Sequence, residues 1–113
     1  QQETGMALIY EVNLSVDKEI EQEYETWLTA HIEEMVSFEG FEGAKLFRRR
    51  AEDEGQEEGD KILWTVLYSV RDRPALQSYF DLHAPRMRQQ GLSLFSGRFT
   101  ASRRILLSPR VFS

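Results

Sequence analysis

The sequence predicts an α+β fold of the ferredoxin-like kind: a four-stranded antiparallel sheet with two helices on one face. Three observations predict it. Four short segments alternate apolar and polar residues with period two, as strands do. Two longer segments repeat apolar residues at steps of three and four, as helices do. The segments follow one another as β-α-β-β-α-β, the order of a split pair of βαβ units.

MALIYEVNLSV is the first strand. Met6, Leu8, Tyr10, Val12 and Leu14 share one side, and Ala7, Ile9, Glu11 and Asn13 the other. Ser15 or Asp17 is placed to cap the helix that follows, since a short side-chain oxygen accepts from a free N–H of the first turn. That helix is expected from about Lys18 to Ser37, with Ile20, Tyr24, Trp27, Leu28, His31 and Met35 in one apolar stripe. Gly40 and Gly43 bracket its exit. GAKLFRRRA reads as the second strand, the acidic EDEGQEEGD at 52–60 as a hairpin loop, and KILWTVLYSVR as the third strand.

Asp72 then caps a second helix, with Pro74 in the first turn, where a missing N–H is harmless. Leu76, Tyr79, Phe80 and His83 form its apolar stripe. Pro85 predicts a break near Ala84, because the residue before a proline is pushed out of the α region. A short helix through Met87 to about Gln90 follows, with Gly91 as its C-cap. GRFTASRRILL is the last strand.

Two helices cover one face of such a sheet, and the other face should then read polar. Here Ile9, Leu63 and Leu67 belong to the opposite alternation from Leu8, Trp64 and Val66. The expectation is a homodimer in which a second copy covers the helix-free face, two-fold pairs being the commonest oligomers.

The chain of 113 residues, 41% of them hydrophobic, suits one domain with its own core. The first five residues, QQETG, read as a vector-derived leftover, with Met6 as the native start and 6–113 as the single domain. A net charge of −5 disfavours a general polyanion binder. The absence of cysteine excludes disulfides and thiolate metal sites and fits a cytoplasmic location. No apolar run approaches the roughly 20 residues of a membrane span.

Several stretches together carry a resemblance: MALIYEVNLSVD, W-L-x-x-H-I, TVLYSV, and above all HAPRMR followed by F-S-G-R-F. From Met6 to about Leu107 the chain resembles an uncharacterised bacterial family, domain of unknown function 4286. That family looks like a member of the dimeric α/β-barrel superfamily, in which two ferredoxin-like sheets pack face to face. The superfamily spans quinone-forming monooxygenases, small polyketide cyclases, haem enzymes and stress proteins, so the fold alone licenses no reaction. The Trp27–His31 spacing is similar to one on the first helix of several ring-modifying members.

Two histidines carry the candidate chemistry. His31 lies mid-stripe between Trp27 and Met35, where a leucine would be expected. It is either a core imidazole bonded to a strand residue or a group facing a pocket between helix and sheet. Glu34, three residues on, either sits beside it and raises its pKa or is simply solvated. His83 caps the break at Pro85 or packs against Tyr79, or else joins His31 as an acid/base pair. Tyr10, Trp27, Trp64, Tyr68 and Tyr79 are the candidate ligand-binding residues. No third ligand has metal-site spacing, and no nucleotide or phosphate motif is present, so neither metal nor cofactor is predicted. The arginines read as partners for the nineteen acids, with an anionic small ligand as the lesser alternative. The third strand, KILWTVLYSV, lacks the basic aromatic motif of RNA-binding ferredoxin-like domains.

Three functions follow from these residues. The first is a binding protein for a small aromatic or hydrophobic ligand. The second is a cofactor-free monooxygenase or cyclase with His31 as general base. The third is a structural or interaction protein whose histidines only pack.

Overall fold

The computed structural model describes residues 7–113, and the four alternating segments are strands: β1 (Leu8–Asp17), β2 (Phe41–Arg49), β3 (Lys61–Val70) and β4 (Phe99–Leu106). They form one antiparallel sheet in the order β2-β3-β1-β4. The helices are α1 (Glu21–Met35), α2 (Arg73–Leu82) and α3 (Ala84–Phe95). The expected leftover QQETG and the expected start at Met6 lie outside the described residues.

Register fixes which alternation faces the helices. Tyr10 stands opposite Tyr68, Val12 opposite Val66, and Leu14 opposite Trp64. All of these but the half-buried Val12 are buried, and they pack with Tyr24 and Leu28 of α1, Leu76 and Tyr79 of α2, and Met87 of α3. The core is therefore the single layer between sheet and helices.

The helix ends differ from expectation in two places. Neither Ser15 nor Asp17 caps α1, which is led in by a short 3-10 turn at Lys18–Ile20. The Asp17 carboxylate is bound instead by Lys61 and by Arg98, whose Nε donates at 2.8 Å. Two cations outcompete a backbone N–H, and they hold the Asp17 carboxyl below its usual pKa. Asp72 does cap α2, its Oδ1 accepting from Ala75 N at 2.9 Å. The break before Pro85 falls at His83, between α2 and α3. Gly91, however, is not a C-cap. It lies inside α3, and the left-handed glycine after the helix is Gly97, at φ 80°.

The helix-free face is mixed. Ile9, Leu63 and Leu67 are half-buried there and Phe47 is 45% exposed. Between them runs a polar ladder. Arg104 donates to both oxygens of Glu11 at 2.8 and 3.1 Å, Asn13 donates to Glu11 at 2.7 Å, and Thr65 donates to Asn13 at 2.6 Å. Glu11 is only 6% exposed even in one copy of the chain.

Candidate functional site

α1 crosses the sheet with Tyr24, Trp27, Leu28 and His31 turned toward β1 and β3. Between them and the sheet lies a cavity of about 50 Å³. Tyr10, Tyr68 and Tyr79 line its inner part, Met87 and Gly91 close it from α3, and Arg88 and Arg103 stand over it. Close approach of α1 to α3 depends on Gly91, because a Cβ there would lie 3.0 Å from Cη2 of Trp27.

His31 stacks on Trp27, with ring centroids 4.6 Å apart and planes 26° from parallel. One edge of the imidazole is partly exposed, but Nδ1 is shut off from solvent and has no protein hydrogen-bond partner. Among the described residues no strand residue bonds Nδ1, and the ring lines the cavity. Burial pushes the His31 pKa down to about 4. The charge of Glu34 opposes that shift and the charge of Arg103 adds to it. Glu34 neither bonds His31 nor stands free, because Arg86 donates to it at 3.1 Å. At neutral pH His31 is uncharged.

Four tyrosines converge on the same space. Burial raises the pKa of Tyr24 and Tyr68 far above the usual phenol range and that of Tyr79 to about 12. The hydroxyls of Tyr79, Tyr10 and Tyr24 add to the effect at Tyr68. No hydrogen bond from the described residues contributes at Tyr24, Tyr68 or Tyr79. The Tyr10 hydroxyl accepts from Arg88 at 3.2 Å. Tyr24, Tyr68 and Tyr79 are protonated at neutral pH, and each hydroxyl can donate as well as accept.

Of the residues expected at a site, the fold brings together Tyr10, Trp27, His31, Tyr68 and Tyr79. It does not bring in His83 or Trp64. The expected pairing of the two histidines fails because His83 sits at the α2–α3 break and lies flat on Phe38, with centroids 4.0 Å apart and planes 6° from parallel. Trp64 stands behind the pocket wall, stacked on Tyr24 at 6.0 Å and covered by Arg48 at 5.8 Å. Among the described residues no three His, Cys, Asp or Glu side chains cluster as metal ligands would.

The sequence reading missed Tyr24, Arg88 and Arg103. In the sequence Tyr24 reads as part of the apolar stripe, and the arginines read first as partners for acids, with an anionic ligand only as the lesser alternative and no position singled out for it. The first reading holds for Arg48, Arg49, Arg50, Arg86 and Arg104, which pair with Glu21, Glu54, Asp53, Glu34 and Glu11. Arg103 has no acid within ion-pair distance among the described residues. A signal for it existed. Phe99, Ala101 and Ile105 carry the apolar parity of β4, and Arg103 interrupts it opposite Val12.

Fold and site define a ferredoxin-like α+β domain with an aromatic pocket between sheet and helices. The chain belongs to the family described as a domain of unknown function (DUF4286), which matches residues 7–108. No curated protein matches it. Among solved structures it is similar to a conserved protein from Methanosarcina mazei Go1, with 18% identity, TM-score 0.66, and 94% of this chain and 96% of that one covered. It is also similar to a dimeric ferredoxin-like protein from an uncultured marine organism, with 14% identity, TM-score 0.60, and 95% and 99% covered. A third is a protein of Bacteriodes thetaiotaomicron VPI-5482 provisionally named an antibiotic biosynthesis monooxygenase, with 15% identity, TM-score 0.59, and 94% and 90% covered. At these identities the likeness extends to the fold. Among the described residues no helix is long and apolar enough to cross a membrane.

Proposed function

We propose that the protein binds a small aromatic or hydrophobic ligand in the cavity between α1, α3 and the sheet. The observation that carries this reading is His31 Nδ1, enclosed, without a protein partner and surrounded by tyrosines. A buried polar atom left unpaired costs roughly 1–3 kcal/mol, which a purely structural core would shed by using leucine. A bound molecule that pairs with it recovers that cost. The test is a thermal-shift panel of charged and neutral single-ring aromatics. At least one should raise Tm in the wild type and none should do so in Trp27→Ala, since a ligand of the native state stabilises by mass action. A panel without a single stabilising compound would reject the reading.

A second reading makes His31 a general base in a cofactor-free monooxygenase or cyclase. The same free Nδ1 favours it. Its conjugate acid near pKa 4 weighs against it, since a base works best when its pKa lies near the operating pH. His31→Ala that abolishes turnover while keeping ligand affinity would establish it.

The same proposal includes a homodimer through the helix-free sheet face, in the cytoplasm. The half-buried Ile9, Leu63 and Leu67 and the exposed Phe47 support it, and one neighbour of the same fold is described as dimeric. The ladder from Arg104 to Thr65 would set the register of the two copies. Sedimentation should give about twice the 13.2 kDa chain mass; a persistent monomer would reject it.

A further inference from the structure

We infer that the pocket selects a single-ring aromatic carboxylate, with the ring among the tyrosines and the carboxylate held between Arg103 and Arg88. The inference rests on the cavity being a ligand site and adds the charge and size of what enters.

Its first ground is the balance of donors and acceptors. The lining includes two guanidiniums, four phenols and an imidazole, and no Asp or Glu. The two guanidiniums only donate, each phenol donates as well as accepts, and no carboxylate stands in the lining, so donors and positive charge are in excess. A ligand that matches it must supply acceptors. A carboxylate supplies two oxygens with about four lone-pair directions, and it offsets the two positive charges.

Its second ground is where the cations are. Among the described residues seven of the other nine arginines pair with carboxylates, at positions 48, 49, 50, 71, 86, 98 and 104. With nineteen acids in the chain, pairing is the default. Among the described residues four arginines lack an acid within ion-pair distance, Arg73 and Arg110 at the surface and the two at the pocket. Among the described residues Arg88 is bound only to the Tyr10 hydroxyl oxygen, at 3.2 Å. Arg103 projects from the helix-facing side of β4, between Ala101 and Ile105, a place the alternation reserves for an apolar side chain. Its charge is felt at Tyr24, His31, Tyr68 and Tyr79 alike. A planar guanidinium suits a planar carboxylate, which it can hold through two parallel bonds.

Size sets the rest. A cavity of about 50 Å³ is smaller than the roughly 150 Å³ that takes a benzene, so a ring enters only when the side chains over it withdraw. Arg88 and Arg103 are both exposed and neither is tied to an acid among the described residues, so both can swing aside and return onto the carboxylate. More than one ring would require the buried tyrosines to move as well.

The test titrates benzoate and its neutral isostere benzamide into the full chain, followed by tryptophan emission and calorimetry. In the wild type, benzoate should bind about tenfold more tightly than benzamide, and added salt should narrow the gap. Arg103→Gln should weaken benzoate about tenfold and leave benzamide within about twofold. Arg88→Gln should act in the same direction and serves if Arg103→Gln does not fold. Benzamide binding as well as benzoate, or a preference untouched by either substitution, overturns the charge assignment and leaves the pocket standing. Neither compound binding, while a larger apolar compound does, overturns the size assignment. No binding by any aromatic removes the pocket reading itself.

Discussion

Gly91 of α3 and Trp27 of α1 meet so closely that the indole occupies the space of a glycine side chain. A Cβ on Gly91 would lie 3.0 Å from Cη2 of Trp27 and 3.5 Å from Cζ of Phe99. Glycine inside a helix costs about 1 kcal/mol relative to alanine, so its presence there marks a packing need. Gly91→Val should lower stability by about 1–3 kcal/mol in urea unfolding, as overpacking does, and should change the emission of Trp27. An unchanged midpoint would mean that the α1–α3 seam yields.

Gly40 makes a second close approach, between the end of α1 and the start of α2. It takes φ 88°, and a Cβ there would run into Ala75. Both penalties apply to any side chain, the left-handed backbone at roughly 1–2 kcal/mol and the steric clash on top of it. Gly40→Ala should therefore lose at least about 2 kcal/mol, while Gly55→Ala should lose only the backbone part. Gly55 shares the positive φ, at 78°, but nothing lies within 4 Å of its Cβ position.

These contacts show how much of the molecule is legible from the sequence. Period-two and period-3.6 patterns are local, and they placed the strands, the helices and the break at Pro85. The N-cap of α2 was legible because Asp72 competes with nothing stronger than Arg71 beside it. The N-terminus of α1 was not, because Asp17 is taken by Lys61 and Arg98, which the fold brings in from β3 and the start of β4. Gly91 looked like a terminus because the residue that needs its empty space, Trp27, is far away in sequence. His31 was legible as an anomaly, since a polar group in an apolar stripe is visible without a fold. Its companions Arg88 and Arg103 come from two later elements, α3 and β4, and only helix packing and sheet register join them to it.

Tyr68 tests whether the tyrosines are there for structure or for a ligand. Its ring is buried at 2% exposure, yet no hydrogen bond holds its hydroxyl among the described residues. Tyr68→Phe keeps the packing and removes one hydroxyl from the cavity lining. Stability should stay within about 1 kcal/mol of wild type, because no protein hydrogen bond is broken. Binding of any aromatic that stabilises the wild type should weaken. A large loss of stability would instead identify the hydroxyl as a structural donor.

His31 should cost the protein stability, and the cost should depend on pH. Its folded pKa, about 4, lies below the ordinary 6.5, so between these values the unfolded chain binds the proton that the folded chain refuses. The contribution of His31 is fully present above pH 6.5 and is lost as pH falls through the window to about 4. At about 1.4 kcal/mol per pH unit, that drop is worth about 3 kcal/mol. His31→Leu removes both the titration and the unpaired Nδ1. At pH 7 it should raise stability by about 1–2 kcal/mol, the reward for replacing an unsatisfied polar group with an apolar one. As pH falls from 7 toward 4.5, the wild type should lose ground to the variant, while the carboxylates are the same in both proteins and drop out of the comparison. Urea unfolding of the two proteins across that range measures the gap directly. A gap that stays constant with pH would show that the imidazole takes up its proton as easily in the folded protein as in the unfolded chain, and that the cavity around it is wet and open.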